Sequence, residues 1–227
     1  MAMHVQWVDG QQVWYNTLLA RWVDAIGPDI LKYLDHFTTF TAGDWTITET
    51  GAAGTEALSD GAGGLLLLTS DALDNDSIEM QKVGESWKLT SGKELYFGCR
   101  FKAATATQSD ILVGLCITDT TLIDGLSDGV YFQKDDGDAN IDVVTIKGSS
   151  STKADSGVDL AADTYVTVEF FFDGAAVVFM INGVVVATHT TYVPDTEELT
   201  VSIAYQNGEA GAVTMTVDWV RVIQNLA

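Results

Sequence analysis

Two dipeptides, Asp173-Gly174 and Asn182-Gly183, stand between runs of β-branched and aromatic residues, YVTVEFFF, AVVFMI and VVVATHT. Both pairs tolerate positive φ at a tight turn, so the stretch from 165 to 190 is expected to fold as a three-stranded antiparallel meander. Side chains alternate faces along a strand, which puts Val166, Val168, Phe170 and Phe172 on one side and Thr167, Glu169 and Phe171 on the other. The first set faces a core. Phe171, Val178, Met180 and Val185 lie on the opposite face, so that face needs cover from a loop or a neighbour.

The same signature runs along most of the chain. DWTIT, GLLLLTS, SIEMQK, ELYFGCRFK, DILVGLCIT, GVYFQK, IDVVTIK, LTVSIAYQ and VTMTVDWVRVI read as further strands, with turn-rich joins and no helical pattern between them. A parallel sheet would need crossover helices, so the expected architecture is an antiparallel sandwich or jelly roll. In ELYFGCRFK, Leu95, Phe97, Cys99 and Phe101 face one way and Tyr96, Gly98, Arg100 and Lys102 the other. In the last strand Val213, Met215, Val217, Trp219, Arg221 and Ile223 share a side, opposite Thr214, Thr216 and Asp218. KGSSSTKADSG and ETGAAGTEALSDGAGG read as surface connections.

The first 37 residues differ. Leu18, Leu19, Trp22, Val23 and Ile26 recur at helical spacing behind Asn16 as N-cap, and Gly27-Pro28 is a stop. Ile30, Leu31, Leu34 and Phe37 repeat the stripe over a second short helix, and Asp9-Gly10 can turn a small hairpin ahead of both. The expected division is an N-terminal arm over 1–37 with one or two short helices, and a β-sandwich over 38–227. Trp7, Trp14 and Trp22 in this arm either cap the sandwich or dock on a neighbouring subunit. With Phe171 and Met180 they form the candidate interface set.

Acidic residues outnumber basic ones 32 to 11, a formal net charge of −21, which argues against nucleic acid and anionic membranes as partners. A hydrophobic content of 47% nonetheless supports a folded core. No apolar run reaches membrane-spanning length, and MAMHVQWVDG lacks the marks of a secretion signal, so synthesis in a cytoplasm is expected. Cys99 and Cys116 fall on strands and read as small buried hydrophobes. The stretch KDDGDANID sets Asp136, Asp138, Asn140 and Asp142 at alternate positions, an oxygen-rich pattern suited to Ca²⁺, although positions six and twelve are Ile141 and Lys147 rather than the EF-hand's Gly and Glu. The alternative for this stretch is a solvated hairpin turn, and DALDNDS at 71–77 carries the same ambiguity. No other cofactor is expected. For a glycan, Trp45, Tyr131, Tyr192 and Tyr205 are the candidate platforms.

YVTVEFFFDG, VVFMINGVVVAT and MTVDWVRVIQ together resemble the concanavalin-like sandwiches, which include laminin-G-like modules, legume-type lectins and laminarinase-type glycoside hydrolases. The hydrolases carry Glu-x-Asp-x-x-Glu, whose paired carboxyl groups serve a retaining mechanism. No Glu here has an Asp two places on: Glu79, Glu94 and Glu169 are followed by Met80-Gln81, Leu95-Tyr96 and Phe170-Phe171. With no nucleophile elbow or phosphate loop either, a non-enzymatic protein is expected. GDWTITETGAAGT, GAGGLLLLTSDALDNDS and DGVYFQKDDGDANI, with the strands above, resemble the head decoration proteins of tailed bacteriophages. That resemblance implies a structural protein on the outside of a virion capsid, partnered by the major capsid protein and by itself as a homotrimer. The alternative is a lectin-like carbohydrate-binding module.

Overall fold

The computed structural model describes residues 29–51 and 54–226 with their side chains and, of the first 28, the backbone of 3–8, 11–16 and 21–26. The hairpin signal is realised at its turn: Asn182 and Gly183 have φ of 51° and 78°, joining Val177–Ile181 (β15) to Val184–His189 (β16). Val166–Phe172 (β14) pairs with β15, completing the meander. The remaining strands of the first half are Met3–Val8 (β1), Gln11–Asn16 (β2), Arg21–Ile26 (β3), Ile30–Asp35 (β4), Trp45–Thr50 (β5), Thr55–Ser59 (β6), Leu65–Thr69 (β7) and Ser77–Lys82 (β8). Leu95–Ala103 (β9), Ser109–Cys116 (β10), Gly129–Lys134 (β11), Asn140–Lys147 (β12), Ser150–Asp159 (β13), Thr200–Asn207 (β17) and Thr214–Asn225 (β18) follow.

Two antiparallel sheets face each other, an all-β sandwich as expected. One has the order β13-β12-β11-β10-β17-β8-β5, the other β16-β15-β14-β9-β18-β7-β6, and β4 joins the second by pairing with the distal half of β18. The layer between them is aromatic at its centre. Phe97 and Phe170 stack at 5.1 Å, Phe170 meets Phe179 at 6.0 Å, and Phe132 from the facing sheet contacts Phe179 edge-on at 5.4 Å. Burying each ring contributes roughly 1.5–3 kcal/mol, and each favourable ring pair about 1 kcal/mol more.

The expected helices are strands. Leu31 and Tyr33 of β4 pack on the core while Lys32 and Leu34 point outward, and β4 is in register with Val220–Asn225 of β18. A helix this short is marginal alone, whereas the sheet edge pairs every backbone group it meets. Trp22, Val23 and Ile26 belong to β3, and Asn16 closes β2. Leu18, Leu19 and the Gly27-Pro28 stop lie outside the described residues. β1, β2 and β3 form a three-stranded sheet of their own, with β1 and β2 paired as the expected hairpin. Its turn, Asp9-Gly10, also lies outside the described residues.

Two expected connections are strands as well. SSTKADSGVD is β13 and TEALS is β6, each the last strand of its sheet, where polar residues blunt an otherwise sticky edge. The final strand corrects the predicted alternation. A bulge between Val217 and Trp219 adds one residue, so Val220 and Val222 enter the core while Trp219, Arg221 and Ile223 turn outward.

The turn at 71–77 is organised by Asn207, which is fully buried. Its side-chain amide points at the carbonyls of Asp71, Leu73 and Gly211, and its oxygen accepts from the Ser70 hydroxyl. Asn207→Ala leaves these groups buried without partners and is expected to lower stability by about 2–4 kcal/mol. Urea unfolding checks this; a loss below about 1 kcal/mol would show that the loops rearrange around the gap.

Candidate functional site

Of the four candidate sugar platforms, Trp45, Tyr131 and Tyr205 are buried, and only Tyr192 stands in solvent, 47% exposed. Tyr131 lies on the outer face of the seven-stranded sheet, where an open platform would need to be. Residues 117–128 strap that face. Leu122 and Leu126 pack on Leu112, Cys116, Tyr131 and Ala204 as a second apolar cluster. Two side chains of β8 fasten the strap: Glu79 Oε2 accepts the Leu122 N–H at 2.6 Å, and Gln81 Oε1 accepts the Asp119 N–H at 2.9 Å. Gln81 Nε2 donates to the Ile117 carbonyl and to Ser202, both at 2.9 Å.

Tyr192 borders a depression of about 310 Å³ at the end of the sandwich where β12 and β14 finish and β15 begins. Phe172 and Val193 supply apolar lining, and Ser91 and Thr190 bring hydroxyls. Lys147 and Asp195, also in the lining, are ion-paired, and the hydrogen bond from Lys147 holds the Asp195 carboxyl below its usual range. Tyr192 has a φ of 52°, a strained left-handed conformation for a bulky residue. The segment bearing it is tied to the sandwich. Thr145 Oγ1 donates to the Thr191 carbonyl at 3.0 Å, and the Thr152 and Thr191 hydroxyls meet at 2.6 Å. His189, 5% exposed, places Nδ1 3.0 Å from Thr145 Oγ1 and its ring 5.0 Å from that of Phe179. Sequence reasoning found Tyr192 but not Ser91, Lys147, Thr190 or Asp195, which are scattered over three segments with no shared spacing.

The candidate calcium residues fall on the β11–β12 turn and the start of β12. Lys153 Nζ lies 2.6 Å from Asp135 and 2.9 Å from Asp142, whose other oxygen accepts from the Asn140 amide at 2.7 Å. Asp138 accepts the Asn140 N–H at 3.1 Å, while the Asp136 N–H donates to Asp110 at 2.7 Å. Lys134 is buried beneath them and donates to the Ser109 carbonyl. Two ammonium groups thus stand at this acidic turn, and among the described residues no group of three or more His, Cys, Asp or Glu side chains is arranged to hold a metal.

Of the candidate interface residues, Met180 is fully buried within one chain and presents no surface to a neighbour. Phe171 is half-buried against the pair Tyr96 and Ile223. The side chains of Trp7, Trp14 and Trp22 lie outside the described residues. Cys99 and Cys116 are free and buried, and burial pushes both thiols up.

Comparison with known proteins agrees on architecture. The family model described as SO2946-like, C-terminal domain, matches residues 63–222. The fold is similar to that of SO2946 from Shewanella oneidensis MR-1, a protein of unknown function, with a TM-score of 0.62 and 15% identity over 89% of this chain and 90% of that one. It is also similar to an endo-1,3-beta-glucanase from Streptomyces sioyaensis, with a TM-score of 0.64 and 13% identity over 90% and 100%. The carbohydrate recognition domain of Emp46p, in a metal-free form, matches with a TM-score of 0.56 and 11% identity over 80% and 88%. No curated protein sequence matches the chain. These likenesses bear out the concanavalin-like sandwich. They overturn the expectation of a non-enzymatic protein, because the same architecture serves a glucanase and one missing motif does not assign a class. None of these relatives is described as a virion protein, so the resemblance to phage decoration proteins finds no support among them.

Glu79 gives the strap a pH signature. Burial raises its carboxyl above the ordinary 4.5, the Leu122 N–H opposes the shift, and Asp119 and Asp124 add to it. Between 4.5 and the raised folded value the unfolded chain is already ionised while the folded one keeps its proton, so stability falls as pH rises through that interval. Glu79→Gln keeps an acceptor for Leu122 and is expected to be about 1 kcal/mol more stable than the parent at neutral pH. Urea titrations of both proteins check this: the advantage should vanish once the pH is acid enough to protonate Glu79 in both states, and an advantage unchanged by pH would rule out titration as its source.

Proposed function

The chain belongs to the SO2946-like C-terminal domain family, and on that premise we propose that it binds neutral carbohydrate in the depression beside Tyr192. The observation that carries the proposal is Tyr192 itself, an exposed aromatic held at a positive φ over a polar and apolar lining. A sugar ring has an apolar C–H face and a rim of hydroxyls. Tyr192, Phe172 and Val193 suit the face, while Ser91, Thr190, Lys147 and Asp195 offer donors and acceptors to the rim. A volume of about 310 Å³ sits at the small end of ligand sites and favours a short oligosaccharide or a chain end.

Charge favours a neutral ligand. The chain carries a net −21, and Lys147, the cation lining the depression among the described residues, is bonded to Asp195. The glucanase and the carbohydrate recognition domain among the structural relatives lend the proposal a chemical precedent, since both are named for sugars.

A glycan array followed by calorimetry tests the proposal. Neutral oligosaccharides are expected to bind, and Tyr192→Ala to weaken the tightest of them at least tenfold, the equivalent of about 1.4 kcal/mol. Tyr192→Gly should remove binding while leaving the melting temperature unchanged or raised, because glycine relieves the strained φ. An array with no signal, or full binding by the Ala variant, would sink the site.

A further inference from the structure

The geometry points to a proton-operated latch on this site: the buried, neutral His189 ring helps clamp the segment 189–195, which presents Tyr192, to the sandwich, and protonation of the ring loosens that clamp. The inference rests on the sugar-site reading for its functional meaning and on the hydrogen-bond pattern for its existence. Thr145 has one hydroxyl proton and donates it to the Thr191 carbonyl at 3.0 Å. Its oxygen, 3.0 Å from His189 Nδ1, therefore accepts, and the ring carries its proton on Nδ1. Nε2 is left as a bare acceptor, buried and without a hydrogen-bond partner among the described residues.

That orphan atom makes the contact respond to acid. Adding a second proton places an N–H on Nε2, with no acceptor to receive it, and a full charge in the core. The surroundings offer no compensation. Phe179 of β15 meets the ring, Thr145 of β12 meets Nδ1, and burial alone accounts for the lowered affinity of the ring for a proton, with no carboxylate or ammonium contributing. The nearby charged pair, Lys147 at the end of β12 and Asp195 at the end of the latch, is engaged with itself. The protonated ring is accommodated only by moving out, and His189 is followed directly by Thr190, Thr191 and Tyr192. Release of the ring loosens the Thr145 and Thr191 contact and displaces Thr190 and Tyr192, two of the four residues that this segment gives to the lining of the depression.

The sign follows from linkage. The open segment binds a proton with an ordinary imidazole value near 6.5, and the closed one, its ring desolvated, binds it less readily. Closure, and binding with it, weakens as pH falls below that value, by up to about tenfold per pH unit.

Two readouts test the latch. Amide exchange of 189–195, corrected for intrinsic rate and measured without any sugar, should quicken as pH drops from 7.5 to 5.5 in the parent and stay flat in His189→Asn, whose amide keeps the donor to Thr145 but does not titrate. Calorimetry with a neutral β-1,3-linked glucose tetramer should show affinity falling up to about tenfold over the same range in the parent and constant in the variant. Exchange that is flat in the parent, or equally acid-sensitive in the variant, overturns the latch. If exchange behaves as expected while neither the tetramer nor any array sugar binds, the latch stands and the sugar site fails.

Discussion

The edge-on contact between Phe132 of one sheet and Phe179 of the other sets how the two layers meet, and the rest of the molecule is arranged around it. Phe179 lies opposite Phe170 in the sheet register, Phe170 stacks on Phe97, and His189 closes on the far side of the Phe179 ring. The aromatic layer therefore runs without interruption from the centre of the core to the base of the segment that carries Tyr192. This continuity explains how a surface residue keeps a strained conformation. Its loop is anchored through Thr145 and His189 to the buried aromatic layer. A loop lacking such an anchor would relax the left-handed φ at Tyr192 and withdraw the ring.

The interior of this architecture was legible in the sequence because central strands are apolar, β-branched and separated by turns with a defined chemistry. Asn182-Gly183 shows this most directly: its two positive φ values follow from residue type alone. What escaped notice lies where backbone pairing, rather than side-chain pattern, decides the outcome. β13 and β6 are polar because they are edges, and a polar edge strand looks in sequence like a loop. β4 satisfied a helical stripe as well as an alternating one, and only the free side of β18 made the strand preferable. The bulge at Asp218 is a third case. A single extra residue reversed the faces of Trp219, Arg221 and Ile223, and nothing local announces it.

The site was less legible than the fold, for a different reason. Four aromatics were equally eligible by residue type, and burial separated them: Tyr205, Tyr131 and Trp45 became core or were strapped over, leaving Tyr192. The strap over the seven-stranded sheet also shows why a missing motif is a weak guide to class. Residues 117–128 cover the outer face of that sheet around Tyr131, while the depression beside Tyr192 lies at the rim, where residues come from scattered segments.

Placement of the few cations completes the picture. Among the described residues, Lys82, Lys88, Arg100, Lys102, Lys147 and Lys153 lie within ion-pair distance of a carboxylate. Exposed pairs of this kind add little stability individually, about 0–1 kcal/mol each. Their consequence is selective rather than energetic. At the β11–β12 turn the ammonium of Lys153 bridges Asp135 and Asp142, and at the depression Lys147 is matched by Asp195. A chain with a net charge of −21 repels anions at long range, and its internal pairing removes the local cations that would overcome that repulsion. What remains at the rim is a surface of hydroxyls, one matched ion pair and an aromatic face, a lining without an unpaired cation among the described residues.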